Sequence, residues 1–309
     1  MVLANARTMR AGNCGAIGLA GWLLAFCLPW QNAYGQADTI DWSLSPILGV
    51  HRPALKNLNE GLFRSPLAGV AEFLSESGAT FPQEFVLATP LEELDPSSWA
   101  GLEFEWHVTP KLSWLAGFGT WEGSSNAVSS ADFPIQRTNS RVAVERSSKI
   151  SYNEVYLGAR YAFWAKPRKF RIYGRMSVNN ILDIDLRDQH TLLFETSRSE
   201  SFSRTIILDA NATGVVVFQS GIGADFLIGE RFSLGVEGAL TMNMRQFFFR
   251  NPQIDTDLTD TDGFGSILLP AAPDSEGRLR FLEEDGSEFS DMPLDFNGWK
   301  LLFRLSMLY

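Results

Sequence analysis

The last eleven residues, Trp299 to Tyr309 (WKLLFRLSMLY), constrain the fold more than any other stretch. In an extended strand Trp299, Leu301, Phe303, Leu305, Met307 and Tyr309 share one face. Lys300, Leu302, Arg304, Ser306 and Leu308 share the other. The first face is apolar throughout and the second carries two cations. That pattern suits a strand with hydrocarbon on one side and a polar interior on the other. Eleven residues is also about the length a tilted strand needs to cross a bilayer.

The same alternation recurs upstream. Trp42–Arg52 reads as the first strand. Pro46 cannot donate to a ladder, so a rival first strand lies within 63–73. Gly101–Val108 and Lys111–Trp121 follow, joined at Thr109–Pro110. Tyr152–Trp164 and Lys169–Asn179 are joined by residues 165–168, and Gly214–Ile228 and Arg231–Met244 near Gly229–Glu230. Counting the closing strand, eight strands alternate three short turns with four long loops, at about 53–97, 122–149, 184–212 and 251–295. Residues 54–62 read as a short surface helix, and 277–289 as a hairpin above the wall. The expected fold is all-β: an eight-stranded up-and-down antiparallel transmembrane β-barrel. Its even strand count puts the short turns and both ends on one side.

The two faces separate charge cleanly. The outward positions of strands two to eight hold no Asp, Glu, Lys or Arg. The inward positions hold Glu103, Glu105, His107, Glu154, Arg160, Arg171, Arg175, Asp225, Glu237, Arg245, Lys300 and Arg304. A cation at the lipid midplane costs about 2–4 kcal/mol, which gives the separation its cause. Trp106, Trp114, Phe163, Phe170, Phe226, Phe232 and Tyr309 gather beside the short turns, as an interfacial girdle does.

Alternating strands that close on a terminal aromatic resemble those of the small eight-stranded bacterial outer-membrane barrels, the superfamily that includes the OmpA transmembrane domain and OmpW-like proteins. The resemblance implies an outer-membrane location, periplasmic turns and extracellular loops. It also implies contact with outer-membrane lipids and lipopolysaccharide. Phe303, Leu305, Met307 and Tyr309 would be the signal read by the barrel assembly machinery. No functional residue is carried over with it.

Residues 1–37 read as a cleaved signal peptide, leaving 38–309 as the barrel. Arg7 and Arg10 precede an apolar run over Gly15–Pro29, and small residues follow. Both cysteines, Cys14 and Cys27, lie in that segment, so the mature chain has no disulfide or thiolate site. Removing it leaves 24 basic against 36 acidic residues. A net charge of −12 argues against nucleic acid as a partner.

Eight strands enclose a space that side chains fill, so opposed inward charges are expected to pair into a plug. The function read from this is structural or surface-interacting, with no cofactor and no catalytic set. A narrow solute channel along the same charges is the first alternative and a lipid A-modifying enzyme the second. His51 and His190, expected at the outer rim, would serve the enzyme reading. The last loop carries twelve acidic residues over 251–295 and offers an extracellular partner site. Asp255, Asp257, Asp260 and Asp262 precede Gly263, but Leu258 and Leu269 would occupy the end positions of an EF-hand, which excludes that motif.

Overall fold

A computed structural model describes residues 42–309, apart from 75–78, 136–137, 167–169, 197–200, 230 and 259–263. The signal segment 1–37 therefore lies outside the described residues. In chain order the elements are β1 (Trp42–Pro53), α1 (Lys56–Glu60), a 3-10 turn (Leu62–Arg64), β2 (Leu67–Leu74), β3 (Thr80–Leu87), β4 (Ser97–His107), β5 (Leu112–Ile135), β6 (Thr138–Lys166), β7 (Phe170–Thr196), β8 (Ser201–Ile228) and β9 (Phe232–Asn243). The short strands β10 (Phe247–Phe248), β11 (Arg250–Thr256), β12 (Phe264–Leu268), β13 (Ala271–Pro273), β14 (Leu279–Leu282), β15 (Phe289–Asp291) and β16 (Pro293–Leu294) precede the closing β17 (Gly298–Leu308).

Eight of these strands close a ring. β1, β4, β5, β6, β7, β8, β9 and β17 pair in that circular order, with β17 returning to β1. Every pairing is antiparallel. Closure leaves the lower ring without an edge, which a sheet in hydrocarbon requires. The first strand is the one read at 42–52, and 63–73 is not a barrel strand. Pro46 is tolerated because the ladder from β1 to β17 breaks after Leu44 and resumes at Ile47. At that gap Ser45 Oγ donates to Ser306 Oγ at 2.8 Å.

The outward side chains form an apolar belt. Leu48, Phe118, Leu157, Met176, Ile222, Leu240 and Phe303 are all exposed. On the turn side Phe170 lies against Phe226 at 4.7 Å and Trp164 against Phe170 at 5.4 Å. Trp42 stacks on Tyr309 at 4.0 Å, where the first and last strands meet.

Two of the expected long loops are strand. Residues 122–135, 138–149, 184–196 and 201–212 continue the ladders of β5 to β8, giving strands of 24, 29, 27 and 28 residues. The other four ring strands have 11 or 12. The barrel wall is therefore tall on one side, rising above the belt by on the order of 40 Å along the strands. Above the belt the polarity inverts. Val142, Val144, Ile150, Ile184, Leu186, Leu192, Phe194, Ile206 and Leu208 point inward and are buried. Ser, Asn and charged residues alternate outward. Polar outward positions give these stretches the composition of loops, although inward apolar residues recur at every second position over 142–150 and 184–194 except at Arg146, Ser148, Asp188 and His190.

The inversion has a marked level. The register of β7 with both neighbours skips Leu182, and that of β8 with β7 skips Gly214. Gly214 has φ 68, a left-handed value that glycine adopts without strain. Below this bulge Val178 and Phe218 face lipid. Above it Asp183, Asp185, Asn211 and Thr213 face water.

The remaining segments fill the tall mouth. A three-stranded sheet, β12-β2-β3, lays Leu67, Phe85 and Leu87 against Val142, Val144, Leu192, Phe194 and Ile206 of the wall. The 54–62 segment does form a helix, but not at the surface: Leu55, Leu58, Leu62 and Phe63 are buried. They pack with Leu91, Leu94, Trp121, Tyr152, Phe249 and Phe296 in one core. The last expected loop is also partly ordered as strand, with β13, β14 and β15 forming a small sheet that contains the expected 277–289 hairpin. No helix among the described residues is long and apolar enough to cross a membrane.

Candidate functional site

At belt level the inward positions of six strands converge on one polar network. Glu103 and Glu105 come from β4, Glu154 and Arg160 from β6, and Arg171 and Arg175 from β7. Asp225 comes from β8, Glu237 from β9, and Lys300 and Arg304 from β17. Nine of these ten are buried, and Arg171 is 20% exposed at its side chain.

Arg160 pairs with Glu105 and, at 2.9 Å, with Glu103. Arg175 reaches Glu103 at 3.0 Å and Glu237 at 3.2 Å. Arg171 bridges Asp225 at 2.6 Å and Glu105 at 3.2 Å. Arg304 pairs with Asp225 and, at 3.1 Å, with Glu103, and Lys300 pairs with Glu154. Five cations therefore meet five anions with no charge left over.

The expected set also contained Arg245, and there the structure differs. β9 ends at Asn243, and Arg245 lies beyond it, exposed, with its guanidinium 4.9 Å over the Phe247 ring. Two residues past the strand, the period of two no longer fixes direction. His107 sits at the turn end of the network, its Nδ1 3.0 Å from Ser113 Oγ and 3.7 Å from Glu105. Phe303, Leu305, Met307 and Tyr309 all face outward and are exposed.

Aromatic and amide side chains absent from the sequence reading complete the network. Tyr173 donates to Glu237 at 3.1 Å and lies beneath the guanidinium of Arg160 at 4.4 Å. Tyr156 donates to Glu103 at 3.2 Å, Trp99 Nε1 to Glu154 at 2.9 Å, and Asn179 to Glu154 at 3.0 Å. The lumen glycines make room for them. A Cβ on Gly117 would fall 2.2 Å from the Tyr156 ring, and one on Gly119 2.0 Å from Trp99. The available signal was an aromatic on an inward position with a glycine inward on the paired strand.

A second buried ion pair lies above the belt. Arg146 donates to Asp188 from Nε at 3.1 Å and from Nη2 at 2.8 Å. Its guanidinium also donates to the carbonyls of Leu62, Phe63, Ser65 and Thr89 at 2.6, 3.0, 3.1 and 3.2 Å. It fastens the re-entrant segment across the mouth to the wall.

Neither histidine of the enzyme reading stands at an open rim. His51 is buried, its Nδ1 hydrogen-bonded to Tyr152 Oη at 2.6 Å. His190 shares an interior face with Ser148 and Asp188. Both Asp188 oxygens are held by Arg146. Among the described residues no hydrogen bond joins His190 to Ser148, so no Ser-His-Asp relay is assembled there. Burial, with the nearby Arg146, pushes the His190 imidazole down to about 4. Of the acidic loop, Asp260, Asp262 and Gly263 lie outside the described residues, and Asp257 accepts the amide of Thr205 at 2.5 Å.

Ring closure, a continuous apolar belt and a charge-paired lumen define a small transmembrane β-barrel of the bacterial outer-membrane class. No family model and no curated protein matches the chain. Similar solved structures include the attachment invasion locus protein Ail of Yersinia pestis, at 8% identity and TM-score 0.26, covering 87% of this chain and 98% of that one. Acinetobacter baumannii CarO is 12% identical at TM-score 0.31, covering 80% and 98%. The outer membrane protease OmpT of Escherichia coli is 8% identical at TM-score 0.28, covering 90% and 99%. The class assignment rests on the geometry of this chain and not on those likenesses.

Proposed function

We propose that the protein is a closed, non-conducting outer-membrane barrel whose task is to carry a rigid extracellular structure at the cell surface. The observation that carries this reading is the lumen, where five cations and five anions neutralise one another at belt level beneath an apolar core. A solute path needs unpaired polar groups and room, and here the charges are spent on each other. The four tall strands add wall that membrane anchoring does not require, which favours a role in surface contact. In this reading residues 1–37 deliver residues 38–309 to the envelope. Phe303, Leu305, Met307 and Tyr309 serve assembly, and outer-membrane lipids and lipopolysaccharide surround the belt. Planar-bilayer recordings of the refolded protein test it. Insertion without discrete conductance steps is expected, and regular single-channel steps would establish the channel alternative instead.

A further inference from the structure

We propose that His190, with the Arg146–Asp188 pair beside it, is an acid-sensitive latch: uptake of one proton by its imidazole releases residues 61–65 and 89–94 from the tall wall while the ring of eight strands stays closed. The inference goes beyond the surface-contact reading, which concerns the closed mouth alone.

The latch is built across two strands. On the inner face His190 of β7 lies directly opposite Arg146 of β6, and Asp188 directly opposite Ser148. All four are buried. Arg146 holds both Asp188 oxygens, through Nε and Nη2. Its Nη1 holds the carbonyls of Phe63, Ser65 and Thr89, and Nη2 also that of Leu62. Two further links from this segment to β5 are neutral. Ser125 Oγ donates to the Glu92 carbonyl at 2.9 Å, and Thr89 Oγ1 lies 2.6 Å from Ser129 Oγ. Hydrogen bonds from a charged donor are the stronger kind, so the guanidinium is the main polar fastening.

A proton on His190 has nowhere to be repaid while the mouth is closed. Its Nε2 has no hydrogen-bond partner among the described residues. Asp188 is the anion beside it, and both oxygens are already held. On β8 Ile206 stands opposite, and Arg204, two residues away on the same face, has its guanidinium 5.0 Å over the Phe202 ring. β5 presents Ala127 and Ser129 to this face. The charged side chains described within 54–96 are all exposed, as are Asp255 on β11 and Asp257 after it. An imidazolium therefore sets a second buried cation against one carboxylate. Lifting the segment off Arg146 admits water to both cations and removes the conflict. Such local opening needs no loss of the ladders below.

Linkage fixes the size of the effect. Burial, with Arg146 adding and Asp188 opposing, holds the closed imidazole at about 4, against an ordinary 6.5 once water reaches it. The ratio of open to closed mouth should then rise about thirtyfold from pH 7.5 to pH 5. Ordinary carboxylates stay largely ionised over that interval.

Hydrogen exchange of the refolded full barrel tests the latch, read as protection factors so that the intrinsic pH dependence of exchange divides out. The amides of Arg64, Ser65 and Leu91 bond within the segment, in a turn too short to hold them in water. Their protection should fall about thirtyfold from pH 7.5 to pH 5, with β17 amides unchanged. In His190→Gln, which takes up no proton, that fall should vanish. His190→Leu gives the same comparison should the Gln variant lack the heat-modifiable folded band. A substitution that merely loosened packing would lower protection equally at both pH values. Unchanged wild-type protection, a fall of the same size in the variant, or an equal fall in β17 would each overturn the latch.

Discussion

Arg146 on β6 and Asp188 on β7 meet guanidinium to carboxylate at 3.1 and 2.8 Å, with both side chains fully removed from water. They are diagonal neighbours on the inner face, since Ser148 is directly opposite Asp188 and Arg146 opposite His190. The pair is a hub more than a bridge, because the same guanidinium serves four carbonyls from two turns of the segment crossing the mouth.

Removing either charge leaves the other buried without compensation, at a cost of about 3–5 kcal/mol. Arg146→Ala and Asp188→Asn should both destabilise the protein, the first more, since it also orphans the carbonyls of Leu62, Phe63, Ser65 and Thr89. A paired apolar replacement of both residues should not restore stability, because those carbonyls stay unpaired. Hydrogen exchange would localise the loss, with amides of 55–65 and 89–94 deprotected and those of β17 unchanged. Equal deprotection of β17 would show that Arg146 does not act as a local fastener.

In the lumen the expected outcome of neutralisation is instability without current. Arg304 serves Asp225, Glu103 at 3.1 Å and the Tyr173 hydroxyl at 3.0 Å. Arg304→Ala should cost about 3–5 kcal/mol and lower the temperature at which the folded band is lost on gels. Bilayer recordings of the same variant should show no new conductance, since Arg160 and Arg175 still occupy the lumen. A stable variant with open steps would contradict the paired-plug account.

How far the sequence could be read depended on which solvent the outer face meets. In the belt that solvent is hydrocarbon, so apolar-out alternation identified all eight ring strands, and Glu103, Arg160 and Arg304 on the opposite face are buried. Above the bulge at Leu182 and Gly214 it is water, and the same alternation carries the opposite assignment. Ser147, Lys149, Asp185 and Arg187 look like loop to a reader expecting lipid, although Ile150, Ile184 and Leu186 keep the beat between them. Arg146 and Asp188 were hidden by that inversion. No local pattern distinguishes a buried charge from the exposed ones beside it when its partner is 42 residues away.

The seam of the cylinder offers a third test. Tyr309 N donates to the Trp42 carbonyl at 3.0 Å, and the two rings stack at 4.0 Å with an interplanar angle of 10°. Such aromatic pairs contribute about 0.5–1.5 kcal/mol beyond their buried area. Tyr309→Ala should lower the unfolding free energy by about 1–2 kcal/mol, and Tyr309→Phe should be nearly neutral because the stack needs only the ring. Urea titration of refolded protein separates these outcomes. A Phe variant as weak as the Ala variant would shift the role to the hydroxyl.

His190 gives the protein a pH dependence of predictable sign. Its imidazole lies on the inner face beside Arg146 and Asp188 and is held neutral, its pKa pushed down to about 4 from an ordinary 6.5. Desolvation is the main cause, and Arg146 adds to it while Asp188 opposes it. Between those two values the unfolded chain binds a proton that the folded chain does not. The stability due to His190 is therefore complete above pH 6.5 and falls as pH drops to about 4, by about 3 kcal/mol in all. Carboxylates begin to titrate at the lower end of that window, so the informative quantity is a difference between proteins. Unfolding free energies of wild type and His190→Gln, measured from pH 7.5 to 4, should converge as pH falls, because only wild type loses this contribution. Parallel curves would mean that the imidazole takes up its proton equally in both states and that its burial is relieved by water.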